Sequence, residues 1–158
     1  MDLTKSFSDD AFRRALEDWA WLPVTDKRPF LASLFGDVFL EDSDGIWMLD
    51  VLEGSLDRVF PSRQQMAAVL ATEEGQDKYL LAGLAIGAAR RRDLSPGPDQ
   101  VLAWTLPPVL GAPVEVGNLQ LMDFEVYLSL QGQLHQQVNE LPPGTRISGF
   151  TIDGETSQ

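Results

Sequence analysis

A chain of 158 residues with 44% apolar side chains is long enough to build one domain with a real core, and too apolar to stay disordered away from its ends. Its formal charge of −12 disfavours nucleic acid and anionic membrane and favours a basic partner, with plain solubility as the alternative explanation. The absence of cysteine removes disulfides, thiolate catalysis and cysteine-ligated zinc together.

The opening MDLTKSFSDD lacks the apolar segment of a secretory leader, and the longest apolar run, Tyr79 to Ala89, is too short to span a bilayer. A soluble, cytoplasmic, single-domain protein over residues 1–158 is therefore expected. Ser8 caps a first helix whose apolar stripe is Phe12, Ala15, Leu16 and Trp19, with Asp9 and Asp10 in its first turn and Pro23 as its stop. Pro23 to Pro29 reads as a loop, with the Trp19/Trp21 pair as core, as a lid, or as an interface anchor.

Three apolar runs follow, Phe35 to Glu41, Ile46 to Leu52 and Ser55 to Phe60, separated by Asp42-Ser43-Asp44-Gly45 and by Glu53-Gly54. Connections this short join antiparallel strands only, so the three runs predict a meander. Trp47, Leu49 and Val51 fall on one face of its middle strand and Ile46, Met48 and Asp50 on the other, so both faces need a cover. Ser62 and Gln65 form a capping box ahead of Met66, Val69 and Leu70. A further helix is expected from Asp77 to about Arg90, smoothed by Gly83 and Gly87 for close packing and ended by Arg90-Arg91-Arg92. Leu94 to Gln100 is a loop.

Val101 to Leu106 reads as a strand stopped by Pro107-Pro108, and Val114 to Leu121 as one or two short strands. From Asp123, a plausible N-cap, Phe124, Tyr127, Leu128, Leu134, Val138 and Leu141 recur at threes and fours and predict a helix. Met122 to Leu130 also alternates as a strand would, but that pattern stops at Gln131 while the helical stripe continues. Pro142-Pro143-Gly144 ends the helix, Arg146 to Ile152 is a last strand, and Asp153 to Gln158 is a frayed end. The expected fold class is α+β: a small antiparallel β-meander with further short strands, packed by about four helices.

Three local patterns occur in order: Asp44-Gly45 with Leu49-Asp50 and Gly54, then Pro107 to Ala112 (PPVLGA), then Gly132 to Gln137 (GQLHQQ). Together they resemble the C-terminal domain family of immunity proteins encoded beside type VI secretion DNase toxins. The likeness covers roughly Phe35 to Leu141. Two departures stand out: Ala112 replaces the second glycine of the family's turn, and the GAD-like domain that often precedes this one is expected to be missing or shrunken. The resemblance implies a cognate toxin as partner, a nuclease with a basic cleft, and inhibition by binding.

The residues themselves show little chemistry. His135 is the single histidine, which makes a zinc site improbable, and Ser129 and Asp123 near it lack a nucleophile elbow. It is expected to hydrogen-bond within the fold, while Gln131, Gln133, Gln136 and Gln137 are placed to hold the Pro107 to Ala112 turn. Asp42-x-Asp44 lacks calcium-loop spacing, and Arg90 to Arg92 lies in acidic surroundings. No cofactor, metal or catalytic residue is assigned, and the oligomeric state stays open. The acids from Asp37 to Asp57 have no Lys or Arg among them in sequence. Asp42, Asp44, Glu53 and Asp57, on the turn-rich edge of the meander, are the expected toxin-binding residues. A small metabolite-binding domain, an enzyme with a hidden site near His135 and an acidic adaptor of the same secretion system remain as alternatives.

Overall fold

The computed structural model describes residues 2–141, together with the backbone of the strands Phe150–Ile152 and Glu155–Ser157. Its centre is an antiparallel sheet in sequence order: β1 (Thr4–Lys5), β2 (Arg28–Ser33), β3 (Val38–Asp42), β4 (Gly45–Asp50) and β5 (Ser55–Phe60). The expected meander is β3 to β5, in register with Leu40 opposite Trp47 and Leu49 opposite Leu56. Strand β2 replaces part of the expected loop. Pro29 near its start costs little because a proline is tolerated at the beginning of a strand, and the pairing slips between Pro29 and Leu31.

The pleat divides the core as the alternation in β4 requires. On one face Phe39, Ile46 and Phe60 pack with Met66 of α2 (Arg63–Leu70) and Leu80 of α3 (Glu73–Leu80). On the other, Val38, Leu40, Leu49 and Val51 meet Phe12 of α1 (Asp9–Ala15), Trp19, and Tyr127 and Leu128 of α5 (Phe124–Asn139). A second ladder, β6 (Gln100–Trp104) with β7 (Leu119–Asp123), and α4 (Ala82–Arg92) complete that side. No helix among the described residues is long and apolar enough to cross a membrane.

Three expected caps are present: Ser8 accepts from Ala11 N–H, Ser62 from Gln65 N–H and Asp123 from Val126 N–H. The first helix ends at Ala15, well before Pro23, and Glu17–Trp19 continues as a 3-10 turn. The single helix expected from Asp77 is in fact two. Thr72 caps α3, Leu81 then adopts a left-handed conformation (φ 52°), and the Asp77 carboxylate accepts from Gly83 N–H to start α4. There are thus five α-helices among the described residues, one more than expected. The Val114 to Leu121 stretch is a 3-10 turn leading into β7. Of the expected last strand, Phe150–Ile152 forms β8 and pairs with β9 (Glu155–Ser157), inside the stretch read as a frayed end; residues 142–149 lie outside the described part.

Close approach decides two glycine positions in opposite directions. A Cβ on Gly132, within α5, would sit 2.6 Å from the Asp18 carbonyl oxygen, whereas one on Gly83 would find nothing nearer than 3.9 Å. Alanine in a helix is favoured over glycine by about 1 kcal/mol, but the clash at Gly132 must move backbone and costs roughly 1–3 kcal/mol. Gly132→Ala is therefore expected to lower the urea midpoint and Gly83→Ala to hold or raise it. Equal midpoints for the two variants would refute the packing of α5 on the 3-10 turn.

Candidate functional site

The four acids chosen from sequence do not share one edge. Asp42 and Asp44 belong to the β3–β4 turn, and Glu53 to the β4–β5 turn at the other end of β4. Six strand residues separate these turns by about 17 Å. Asp57 lies on β5 opposite Met48, exposed like Asp44 and Glu53.

Asp42 is spent on structure. Its Oδ1 accepts from Asp44 N–H at 2.9 Å and from the Trp47 indole N–H at 2.9 Å. Lys27 Nζ, 4.5 Å from the Trp47 ring centroid, lies 3.6 Å from Asp42 Oδ2, so the fold supplies a base that the neighbouring sequence lacks. Burial pushes the Asp42 carboxyl up, but the Trp47 and Asp44 hydrogen bonds and Lys27 outweigh it and hold it below its ordinary value. Arg58 donates to the Asp44 carbonyl, and Arg63 pairs with Glu41 at 3.1 Å nearby.

Asp50 and Gly54 of the first pattern and His135 of the third come together at the opposite end of β4. His135 is buried, with Nε2 2.7 Å from the Val51 carbonyl oxygen, and a Cβ on Gly54 would lie 2.3 Å from His135 Nδ1. Burial lowers the imidazole pKa, against the Val51 hydrogen bond and the nearby Asp50 and Glu53. Asp50 Oδ1 accepts from Leu52 N–H and Glu53 N–H and shapes this turn. The Pro107 to Ala112 turn is clasped by Asn118, whose side chain bonds Leu106 N–H, Leu106 C=O and Pro113 C=O. Gln133 instead reaches Asp18 and Ser129, which bond each other.

A cleft of about 280 Å³ opens beside the Gly54 turn. Its lining brings together Asp37 from the β2–β3 turn, Asp50 and Glu53, Lys78 and Tyr79 of α3, Trp104 of β6, and Val114 of the proline-rich loop. Asp37 accepts from Ser33 Oγ at 3.0 Å and Val51 N–H at 3.0 Å. Complete burial, then the charge of Asp50, raise its carboxyl to about 7 despite those bonds. Burial likewise raises the Tyr127 phenol, whose oxygen accepts from Trp104 N–H. The sequence reading counted Asp37 only as one more acid. Its signal was its place inside the apolar run LASLFGDVFL, where a charge needs a reason. A wider groove, about 620 Å³, lies between α1 and β2 over Leu16, Ala20 and Val24.

His135 lines neither cavity. Large apolar side chains exposed among the described residues are Ile86, Leu106, Val114, Val126 and Leu141, none of them aromatic. No group of three or more His, Cys, Asp or Glu among the described residues is placed to hold a metal ion.

The raised Asp37 carboxyl sets a pH dependence. The folded state keeps a proton that the unfolded chain releases near 3.8, so this contribution to stability is full below 3.8 and is lost as pH rises toward about 7. His135 runs the other way, because its lowered folded value costs stability as pH falls below the ordinary 6.5. The difference between variant and parent isolates Asp37: Asp37→Asn should gain stability relative to the parent as pH rises from about 4 to about 7, then level off. Denaturant titrations across that range check it, and a difference independent of pH would refute the buried acid.

No protein-family model matches the chain, and no curated protein sequence is significantly similar to it.

Proposed function

We propose that the chain is an acidic inhibitor that binds a basic toxin and neutralises it in the cytoplasm, in the type VI secretion setting that its resemblance implies. The toxin is best read as a nuclease, because a cleft that holds phosphates must carry Lys and Arg. Catalysis by the chain itself forms no part of this reading.

The observation that carries it is how the chain uses its own cations. Lys5 donates to the Gly97 carbonyl, Arg13 and Arg14 pair with Asp10 and Glu125, and Lys27 with Asp26 and Asp42. Arg58, Arg63 and Arg92 bond Asp44 C=O, Glu41, and the Val116 and Leu119 carbonyls. With 24 acids against 12 bases, and so many bases engaged internally, negative charge is left to face outward. Asp44, Glu53 and Asp57 are exposed members of that excess. A surface of this kind accelerates encounter with a cationic cleft.

A second reading, a small-molecule site or an enzyme, is favoured by one feature: the Asp37–Asp50 carboxyl pair within a cleft. Turnover of no substrate by the isolated protein, together with rescue of cells expressing the adjacent gene's toxin, separates the two.

The charge reading is tested by the triple variant Asp44→Asn, Glu53→Gln, Asp57→Asn, which leaves the structural Asp42 in place. Stopped-flow association with the basic partner at low ionic strength should slow about tenfold, and the gap should close as salt rises. Because Asp44 and Glu53 lie at opposite ends of β4, their single variants show which end faces the partner. An unchanged association rate in the folded triple variant would remove these acids from the interface.

A further inference from the structure

The cleft between the Gly54 turn and α3 has a composition that points to a particular ligand group. Its volume of about 280 Å³ is below the usual 300–1,000 Å³ of small-molecule sites, and suits one long side chain better than a metabolite. Its lining includes the aromatic residues Phe35, Tyr79 and Trp104, and its charged side chains are the carboxyls of Asp37, Asp50 and Glu53 against the single ammonium of Lys78. Neither Asp37, Asp50 nor Glu53 takes an ion pair among the described residues. Asp50 gives Oδ1 to two backbone N–H groups and has no hydrogen bond to Oδ2 among the described residues.

Asp37 is buried and bonded to Ser33 and Val51, whereas Asp50 is half-buried and Glu53 exposed, so these last two are the carboxylates that an incoming cation can reach. Lys78 Nζ lies 5.2 Å from the ring centroid of its chain neighbour Tyr79 and bonds none of the three carboxyls. A metal does not fit, since the three carboxylates are not grouped as ligands. A planar guanidinium does: it can meet two carboxylates and stack on a ring at once, which a compact ammonium cannot.

We propose that this cleft is an anchor site for one arginine side chain of the basic protein partner, held by Asp50 and Glu53 and packed against Tyr79 and Trp104. The proposal rests on the partner reading above for the source of the arginine, and on the cleft alone for its chemistry. Asp37 stands behind Asp50 as a further carboxyl, and Lys78, exposed and paired with none of the three, is a like charge beside the incoming group. Arginines seated in desolvated pockets are frequent centres of binding energy in protein interfaces.

The experiment uses the full chain and the probe N-acetyl-arginine amide, with the citrulline analogue as a neutral control of similar shape. Heteronuclear NMR follows the Trp104 indole and Tyr79 resonances. Saturable shifts with the arginine probe, and none with citrulline, are expected. Asp50→Asn keeps the Oδ1 acceptor of the turn and should weaken the probe about tenfold, as should Glu53→Gln, while Lys78→Ala should tighten it. If the thermal melt shows that Asp50→Asn is unfolded, Glu53→Gln alone carries the result. Equal shifts with citrulline, no shifts with either probe, or folded variants that bind as the parent does would each overturn the site. A chain that neutralises a basic partner yet shows no arginine shifts loses the anchor and keeps the function. A chain that binds the arginine probe but no basic protein does the reverse.

Discussion

The fold depends on how closely α5 lies against two other parts of the chain. At Gly132 the helix meets the Asp18 carbonyl with no room for a Cβ, and the Trp21 indole donates to the Gly132 carbonyl. Trp19, fully buried, donates to the Leu128 carbonyl at 2.8 Å one turn earlier. Two turns beyond Leu128, His135 closes on the sheet through the Val51 carbonyl, and Gly54 has no side chain because the imidazole occupies that space. These contacts join sequence positions more than eighty residues apart. They fix the β4–β5 turn, and through it the position of Asp50 and Glu53 at the cleft.

That arrangement gives the three sequence patterns a physical content. Gly54 of the first pattern and His135 of the third touch, and Asp50 ties the turn between them by accepting two backbone N–H groups. The proline-rich second pattern is held by Asn118, outside all three, and contributes its neighbour Val114 to the cleft wall. That clasp is an asparagine outside the glutamine-rich segment, whose Gln133 reaches Asp18 and Ser129. A side-chain amide such as Asn118 can satisfy a carbonyl and an N–H of one turn at once, and no spacing rule announces it.

Much of the fold was legible where a local signal coincided with the tertiary demand. Ser8, Ser62 and Asp123 each preceded a helical stripe and each caps a helix, and the alternation of β4 correctly required covers on both faces. The losses came where tertiary contact overrode the local pattern. The apolar run after Asp77 reads as one helix, yet Leu81 turns left-handed at a cost of roughly 1–2 kcal/mol, offset by the Asp77 cap on Gly83 and the burial of Leu80. Strand β2 was hidden by Pro29, which marks a loop unless a neighbour such as β3 pairs with it. For the site, Asp42 looked like an exposed turn acid because Lys27 is distant in sequence, and Asp37 was counted only as one more acid because Val51, which bonds it, lies fourteen residues on.

The two sets of acids differ in what they can give an association. Asp44 and Asp57 stand in water, where a charge pair at contact is worth about 1 kcal/mol and is screened within roughly 10 Å at moderate salt. Such charges guide approach and scarcely slow departure. Asp37 is buried and Asp50 half-buried in the same cleft, so a cation seated there meets carboxyl groups already partly stripped of water. Part of the desolvation cost has been met in folding, which is the advantage of a preorganised site. In the proposed complex, then, rate and lifetime belong to different places on the molecule, one to the outer turns and the other to the cleft beside the β4–β5 turn.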